Sequence, residues 1–229
     1  MNYGKKSVKQ KKKALQSTSS KLGRKCLLTF SKVLLLCVIA IGIIGICAGL
    51  GVFKGIIDSA PTITLEDATP TRYSSFIYDS KGNQMAKLIA EDSNRVPVTM
   101  DQIPTDLANA FVAIEDERFY QHNGIDIMGI LRAGVTAVKT GFKRQEVAST
   151  ITQQLIKNTV LTTWTQEKTL GERIKRKVQE QYLAIQLEKD TNDKSKILEQ
   201  YMNTINLGQN TLGVQAASKR YFNKNVWEL

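Results

Sequence analysis

Glu115 stands at the edge of an apolar helical stripe, and Asp116, Phe119, His122 and Gly124 follow it closely. Leu107, Ala110, Phe111 and Ile114 recur at three- and four-residue spacing, which places them on one face of a helix. At 100° per residue Glu115 falls about 80° from Leu107, at the margin of that face. A carboxylate against a dry wall suits a general base, because burial raises its proton affinity toward working pH. His122 is the only histidine, so a histidine-built zinc site or a Ser-His-Asp triad has too few parts. Its expected task is to orient the loop after Glu115.

Two further clusters carry polar chemistry. In Ser149-Thr150-Ile151-Thr152-Gln153-Gln154, Ser149 or Thr150 can cap a helix whose free N–H groups and hydroxyls suit an anion. Gln153 and Gln154 add amides that bind sugar hydroxyls or brace a loop. Further on, Ile174, Val178, Tyr182 and Ile185 read as a buried stripe, leaving Arg173, Arg176, Lys177 and Glu180 on the opposite face. Alone, such charges form surface pairs contributing about 0.3–0.5 kcal/mol each. Beside a catalytic carboxylate they gain a second reading, since two cations next to an acid can hold a pyrophosphate and a metal ion. Glu199 and Asn203, one helical turn apart, are expected to brace the domain.

The elements that must position these groups follow from charge and periodicity. Of the 32 basic residues, ten fall in residues 1–32 with no acid among them, leaving 22 against 21 acids in the rest. The basicity is therefore that of a tail, and a nucleic-acid-binding face is not expected. Residues 33–53 carry no charge and are long enough to span a bilayer core of about 30 Å. The cations before them put the N-terminus in the cytoplasm and the remainder outside the plasma membrane, as a single-pass signal anchor. Cys26, Cys37 and Cys47 all lie in or beside the span, so no disulfide is expected beyond it. Gly45 and Gly49 offer a small-residue face on which a second copy could pack. Residues 54–73, with Pro61 and Pro70, read as a linker. A β-hairpin is expected across 75–89 with Gly82 in its turn. Helices follow at 107–114, 127–138, from 149, and at 170–187, 197–205 and 214–221.

Taken in order, these stretches resemble the peptidoglycan glycosyltransferase module of class A (bifunctional) penicillin-binding proteins. Glu115 to Gly124 matches its E-D-x-x-F-x-x-H-x-G signature, Ser149 to Gln154 its G-x-S-T-x-T-Q-Q, and Arg176 to Glu180 its R-K-x-x-E. Ile197 to Asn203 matches I-L-E-x-Y-L-N, with Gly208, Gly213, Ala217 and Tyr221-Phe222 downstream. The resemblance implies a mainly α, lysozyme-like domain over 74–229 with a small N-terminal hairpin, preceded by one transmembrane helix. It implies polymerisation of lipid II into β-1,4 glycan strands with release of undecaprenyl pyrophosphate, in cell-wall synthesis. Glu115 and Glu180 would be catalytic. Arg132, Ser149, Thr150, Gln153, Gln154, Lys157, Arg176 and Lys177 would contact substrate. Glu180 would also hold a divalent cation, Mg²⁺ by resemblance.

Where the family shows a basic residue shortly upstream of R-K-x-x-E, Lys168 or Arg173 could serve. The sequence departs from the pattern at Val147, where the family has glycine, and it carries no S-x-x-K, the first motif of a transpeptidase. It stops at Leu229, before the family's last helical segment, so the module is expected to be C-terminally truncated. Two other readings stand beside this one: a non-catalytic lipid II-binding or assembly protein, and a lysozyme-like glycan hydrolase.

Overall fold

The computed structural model of the chain describes residues 4–15, 18–90, 93–141 and 149–229. The chain divides into two units, residues 1–55 and 56–229.

The first unit is helical. It holds α1 (Lys5–Leu15) and most of α2 (Thr18–Asp58), a single helix of 41 residues. Within α2, Lys25–Asp58 is long and apolar enough to cross a membrane, by length and composition. Its long run of exposed apolar side chains suits lipid rather than water. The helix outruns residues 33–53 at both ends and stops where Pro61, two residues past Ser59, disfavours further helix.

The second unit begins with a correction. Residues 56–73, expected as part of a linker, pack into this unit: Ile63 and Ala68 are buried in its core, with Ala60 and Leu65 against it. The prolines in this stretch shape a tight path, and Thr64 donates to Asp67 through its backbone N–H at 2.8 Å and its hydroxyl at 2.9 Å. The hairpin then forms as expected from β1 (Ser75–Tyr78) and β2 (Gln84–Leu88), paired antiparallel. Asp79 Oδ1 ties its turn by accepting from the N–H groups of Lys81 and Asn83, both at 2.8 Å.

Among the described residues six α-helices complete the unit: α3 (Thr105–Glu115), α4 (Ile127–Lys139), α5 (Ile151–Thr159), α6 (Leu170–Thr191), α7 (Lys194–Thr204) and α8 (Val214–Phe222). Short α5 is the centre of the core. Its Ile151, Leu155 and Ile156 are fully buried against Leu183 and Leu187 of α6 and Leu198 and Met202 of α7. Each such side chain contributes about 1.5–3 kcal/mol on burial, enough to hold a nine-residue helix that would not persist alone. As expected, Glu199 and Asn203 on α7 brace the domain. Glu199 accepts from Met100 N at 2.7 Å, and Asn203 exchanges two bonds with the Val98 backbone at 2.9 and 2.7 Å.

Candidate active site

The site is built where α3 ends, α5 begins and α6 passes behind both. Glu115 is the last residue of α3 and is exposed, so the dry wall expected beside it is absent. Ala108 and Val112 form the buried face of α3, while Ala110 and Ile114 face outward, the latter 81% exposed. Leu107 and Phe111 of the expected stripe pack against the core, so the buried face is turned by about one residue. Glu115 Oε2 instead accepts from Gln154 Nε2 at 3.0 Å. It lines a cleft of about 160 Å³ with Asp116, Arg118, Asp126, Arg132 and Ser149.

The loop behind Glu115 is fixed as the sequence suggested. His122 Nε2 lies 3.0 Å from both oxygens of buried Asp116, and Asp116 Oδ2 also accepts from Ile151 N at 3.1 Å. Asp116 thus pins the end of α3 to the first turn of α5. Gly124 completes the loop at φ +86°, and a Cβ there would sit 2.6 Å from the backbone of Ala184 on α6. Its carbonyl accepts from Thr150 Oγ1 at 2.8 Å and Gln153 Nε2 at 3.2 Å. Asp126, the N-cap of α4, accepts from Gly129 N and pairs with Arg118 at 2.5 Å. The Arg118 contact holds the Asp126 carboxyl below the usual carboxylate range, outweighing burial.

Thr150, not Ser149, is the cap of α5, accepting from Gln153 N at 3.2 Å. Its hydroxyl also donates to Gly124, and Thr150 and Gln153 are both buried at this junction, with Thr150 at the edge of the cleft. Ser149 Oγ accepts from Lys177 Nζ at 2.6 Å. Val147 lies outside the described residues.

On α6 the inner face is turned from the expected stripe, of which Tyr182 still packs against the core. Ile174 and Ile185 are exposed, whereas Glu180, Leu183, Ala184 and Leu187 form the inner face with Glu180 only 1% exposed. Both stripes satisfy helical spacing, so periodicity cannot choose between them. Neutralisation of Glu180 does: Arg176 Nη1 donates to its Oε1 and Lys177 Nζ to its Oε2 at 3.0 Å. Lys177 Nζ also reaches Gln153 Oε1 at 3.4 Å, and Arg176 Nε donates to Glu167 Oε1 at 2.6 Å. Burial disfavours the Arg176 charge, but Glu167 and Glu180 outweigh it and raise its pKa.

This arrangement does not fit a divalent cation at Glu180. Both carboxylate oxygens are committed to cations, whereas Mg²⁺ requires free oxygen ligands in near-octahedral array. Among the described residues no group of three or more His, Cys, Asp or Glu is placed to hold a metal.

Lys157 sits with its ammonium 4.0 Å from the centre of the Trp164 ring, a cation–π contact rather than a place in the Glu180 cluster. Sequence reasoning assigned no role to Glu167, Asp116 or Tyr201. Asp116 was legible beside His122 in the same motif. Glu167 lies nine residues before Arg176 in an irregular turn, and no spacing rule points to it. Tyr201 donates its hydroxyl to Gln154 Oε1 at 3.3 Å from within the core. A second buried tie, Thr152 Oγ1 to Glu188 Oε1 at 2.5 Å, joins α5 to α6, and Lys194 pairs with Glu188 above the Phe119 ring.

An exposed carboxylate and a buried cation–carboxylate cluster thus stand on two sides of one capped helix start, in a mainly helical domain. The transglycosylase family model matches residues 81–229, and the chain belongs to that family. It is similar to "Penicillin-binding protein 1A" of Clostridium botulinum (strain Hall), 46% identical over 182 residues, 78% of this chain and 21% of that protein. The protein of the same name from Clostridium tetani is 44% identical over 185 residues, 80% of this chain and 22% of its own length. That of Clostridium perfringens (strain ATCC 13124) is 39% identical over 224 residues, 96% and 25% respectively. The chain thus spans about a quarter or less of the length of these relatives.

Proposed function

We propose that this chain is a membrane-anchored peptidoglycan glycosyltransferase unit that polymerises lipid II into β-1,4 glycan and releases undecaprenyl pyrophosphate. The observation that carries the reading is the placement of Glu115 and the Lys177–Glu180 cluster on neighbouring glutamines of α5: Gln154 bonds the first and Gln153 the second. Glu115 removes the proton from the acceptor's sugar 4-hydroxyl as that oxygen attacks the anomeric carbon. The bond to the lipid pyrophosphate breaks with inversion, and the leaving group departs as an anion. Such a leaving group needs positive charge more than a proton.

Arg176 and Lys177 are balanced by Glu167 and Glu180, so the cluster as arranged carries no spare charge. Lys157, on the Trp164 ring and outside that cluster, supplies further positive charge as the pyrophosphate arrives. A hydrolase acting on finished glycan would instead need an acid to protonate a sugar oxygen, and a cation cluster would serve it little.

Two features suit lipid-tethered substrates. One is α2, with the cationic tail on the cytoplasmic side and residues 56–229 outside. The other is α4, whose exposed Ile127, Met128, Leu131, Val135 and Val138 fall within an arc of about 100° and present an apolar strip. The test is polymerisation of labelled lipid II by the detergent-purified chain beside Glu115→Gln. Polymer from the wild type alone supports the reading. No polymer from folded wild type moves it to a binding or assembly module, and turnover of lipid-free glycan moves it to a hydrolase.

A further inference from the structure

Gln154 stands between an acid and a phenol. Its Nε2 donates to Glu115 Oε2 at 3.0 Å, and its Oε1 accepts from the Tyr201 hydroxyl at 3.3 Å. The chemistry allows one orientation only. An ionised carboxylate accepts and never donates, so it demands the amide N–H; the carbonyl then turns to Tyr201, whose O–H must donate. The two ends differ in freedom. Glu115 is exposed at a helix end, whereas Tyr201 is fully buried on α7 with Phe111 edge-on at 6.3 Å. Burial, and then the Glu115 charge, push the Tyr201 phenol up, so its proton stays in place as a donor. The fixed end of the relay is therefore in the core.

We propose that Tyr201 is a positioning residue for the base: its hydroxyl locks the Gln154 amide with N–H toward Glu115, holding that carboxylate in place at the cleft. This rests on the reading of Glu115 as the base, and it assigns Gln154 to the base rather than to a sugar. A hydrogen bond donated to a carboxylate favours its charged form. With the hydroxyl gone, the amide turns freely, and its carbonyl against Glu115 favours the protonated acid instead. Asp116, Glu117, Arg118, Asp126 and Arg132 also line the cleft, with His122 on Asp116, and all are the same in every variant compared.

The experiment is the initial rate of labelled lipid II polymerisation by the full chain in detergent from pH 5 to 9. Wild type, Tyr201→Phe, Gln154→Met and the double variant are compared, with Glu115→Gln as control. Tyr201→Phe keeps the ring and its packing. Its rate should fall about three- to tenfold at the acid end and little above pH 8. Gln154→Met should cost at least as much there, and adding Tyr201→Phe to it should cost no more.

A loss that is uniform across pH, or that adds fully in the double variant, marks Tyr201 as packing alone and overturns the proposal. So does an unchanged acid-end rate in Gln154→Met, which decides the matter even if Tyr201→Phe does not fold. In those cases an inactive Glu115→Gln leaves the base reading intact. Full activity of Glu115→Gln sinks both.

Discussion

Removing the Glu180 charge tests the centre of the site most directly. Glu180→Gln keeps the shape but cancels two charge-assisted hydrogen bonds, each contributing about 1.5–3 kcal/mol. The gross loss of about 3–6 kcal/mol is softened by two features of the cluster. Lys177 is 40% exposed and can rehydrate, and Arg176 keeps its bond to Glu167. The expected destabilisation is about 2–4 kcal/mol, near the lower part of the range for breaking a buried pair. At about 2–4 °C per kcal/mol for a domain this large, Tm falls by about 5–15 °C. Trp164 and Trp227 both lie within residues 56–229, so tryptophan fluorescence follows the unfolding of that unit without interference from α2. Lys177→Met removes the partner, and the double variant Lys177→Met/Glu180→Gln should be at least about 1 kcal/mol more stable than the sum of the single losses. A fall of less than about 2 °C, or strict additivity, would mean the pair is not coupled. The account of why α6 turns this face inward would then be wrong.

Three other outcomes follow from the geometry. Gly124→Ala places a methyl group 2.6 Å from the Ala184 backbone in a left-handed conformation, so melting should show a loss of about 2–5 kcal/mol. Glutamates at Leu131 and Val135 on exposed α4 should leave Tm unchanged yet raise the apparent KM for long-tailed lipid II about tenfold; a short-tailed analogue should be less affected. Asp126, held below the usual carboxylate range by Arg118, stabilises the fold fully above its unfolded value of about 3.9. That contribution fades as pH falls through the lower native value. The gap in Tm between wild type and Asp126→Asn should therefore be flat from pH 6 to 7 and close below about pH 4.

Much of this was legible in the sequence because it rests on local rules. The hairpin turn, the capped start of α5, the Glu199–Asn203 brace and the tie from His122 each depend on residues whose chemistry allows few partners. What misled was rotation. On α6 two stripes met the same spacing, and the neutralisation of Glu180 goes with the one that faces inward; on α3 the buried face is turned by about one residue. The stretch 56–73 failed for a related reason, since proline marks a bend and says nothing about whether the bend is packed. The relay from Tyr201 could not be read at all, because it joins positions 115, 154 and 201 through the amide of a residue that the motif alone marks as a ligand.

The adjacency of Gln153 and Gln154 has an evolutionary consequence. Each residue along a helix advances the side chain by 100°, so these two positions address different partners only while the count from Thr150 is kept. A substitution at either one alters a single contact. A one-residue insertion or deletion between Thr150 and Gln154 would present each partner with its neighbour's side chain, severing base and cluster together. Descendants of this chain should therefore vary freely in the letters of many surface positions, while the length of this first turn stays constant.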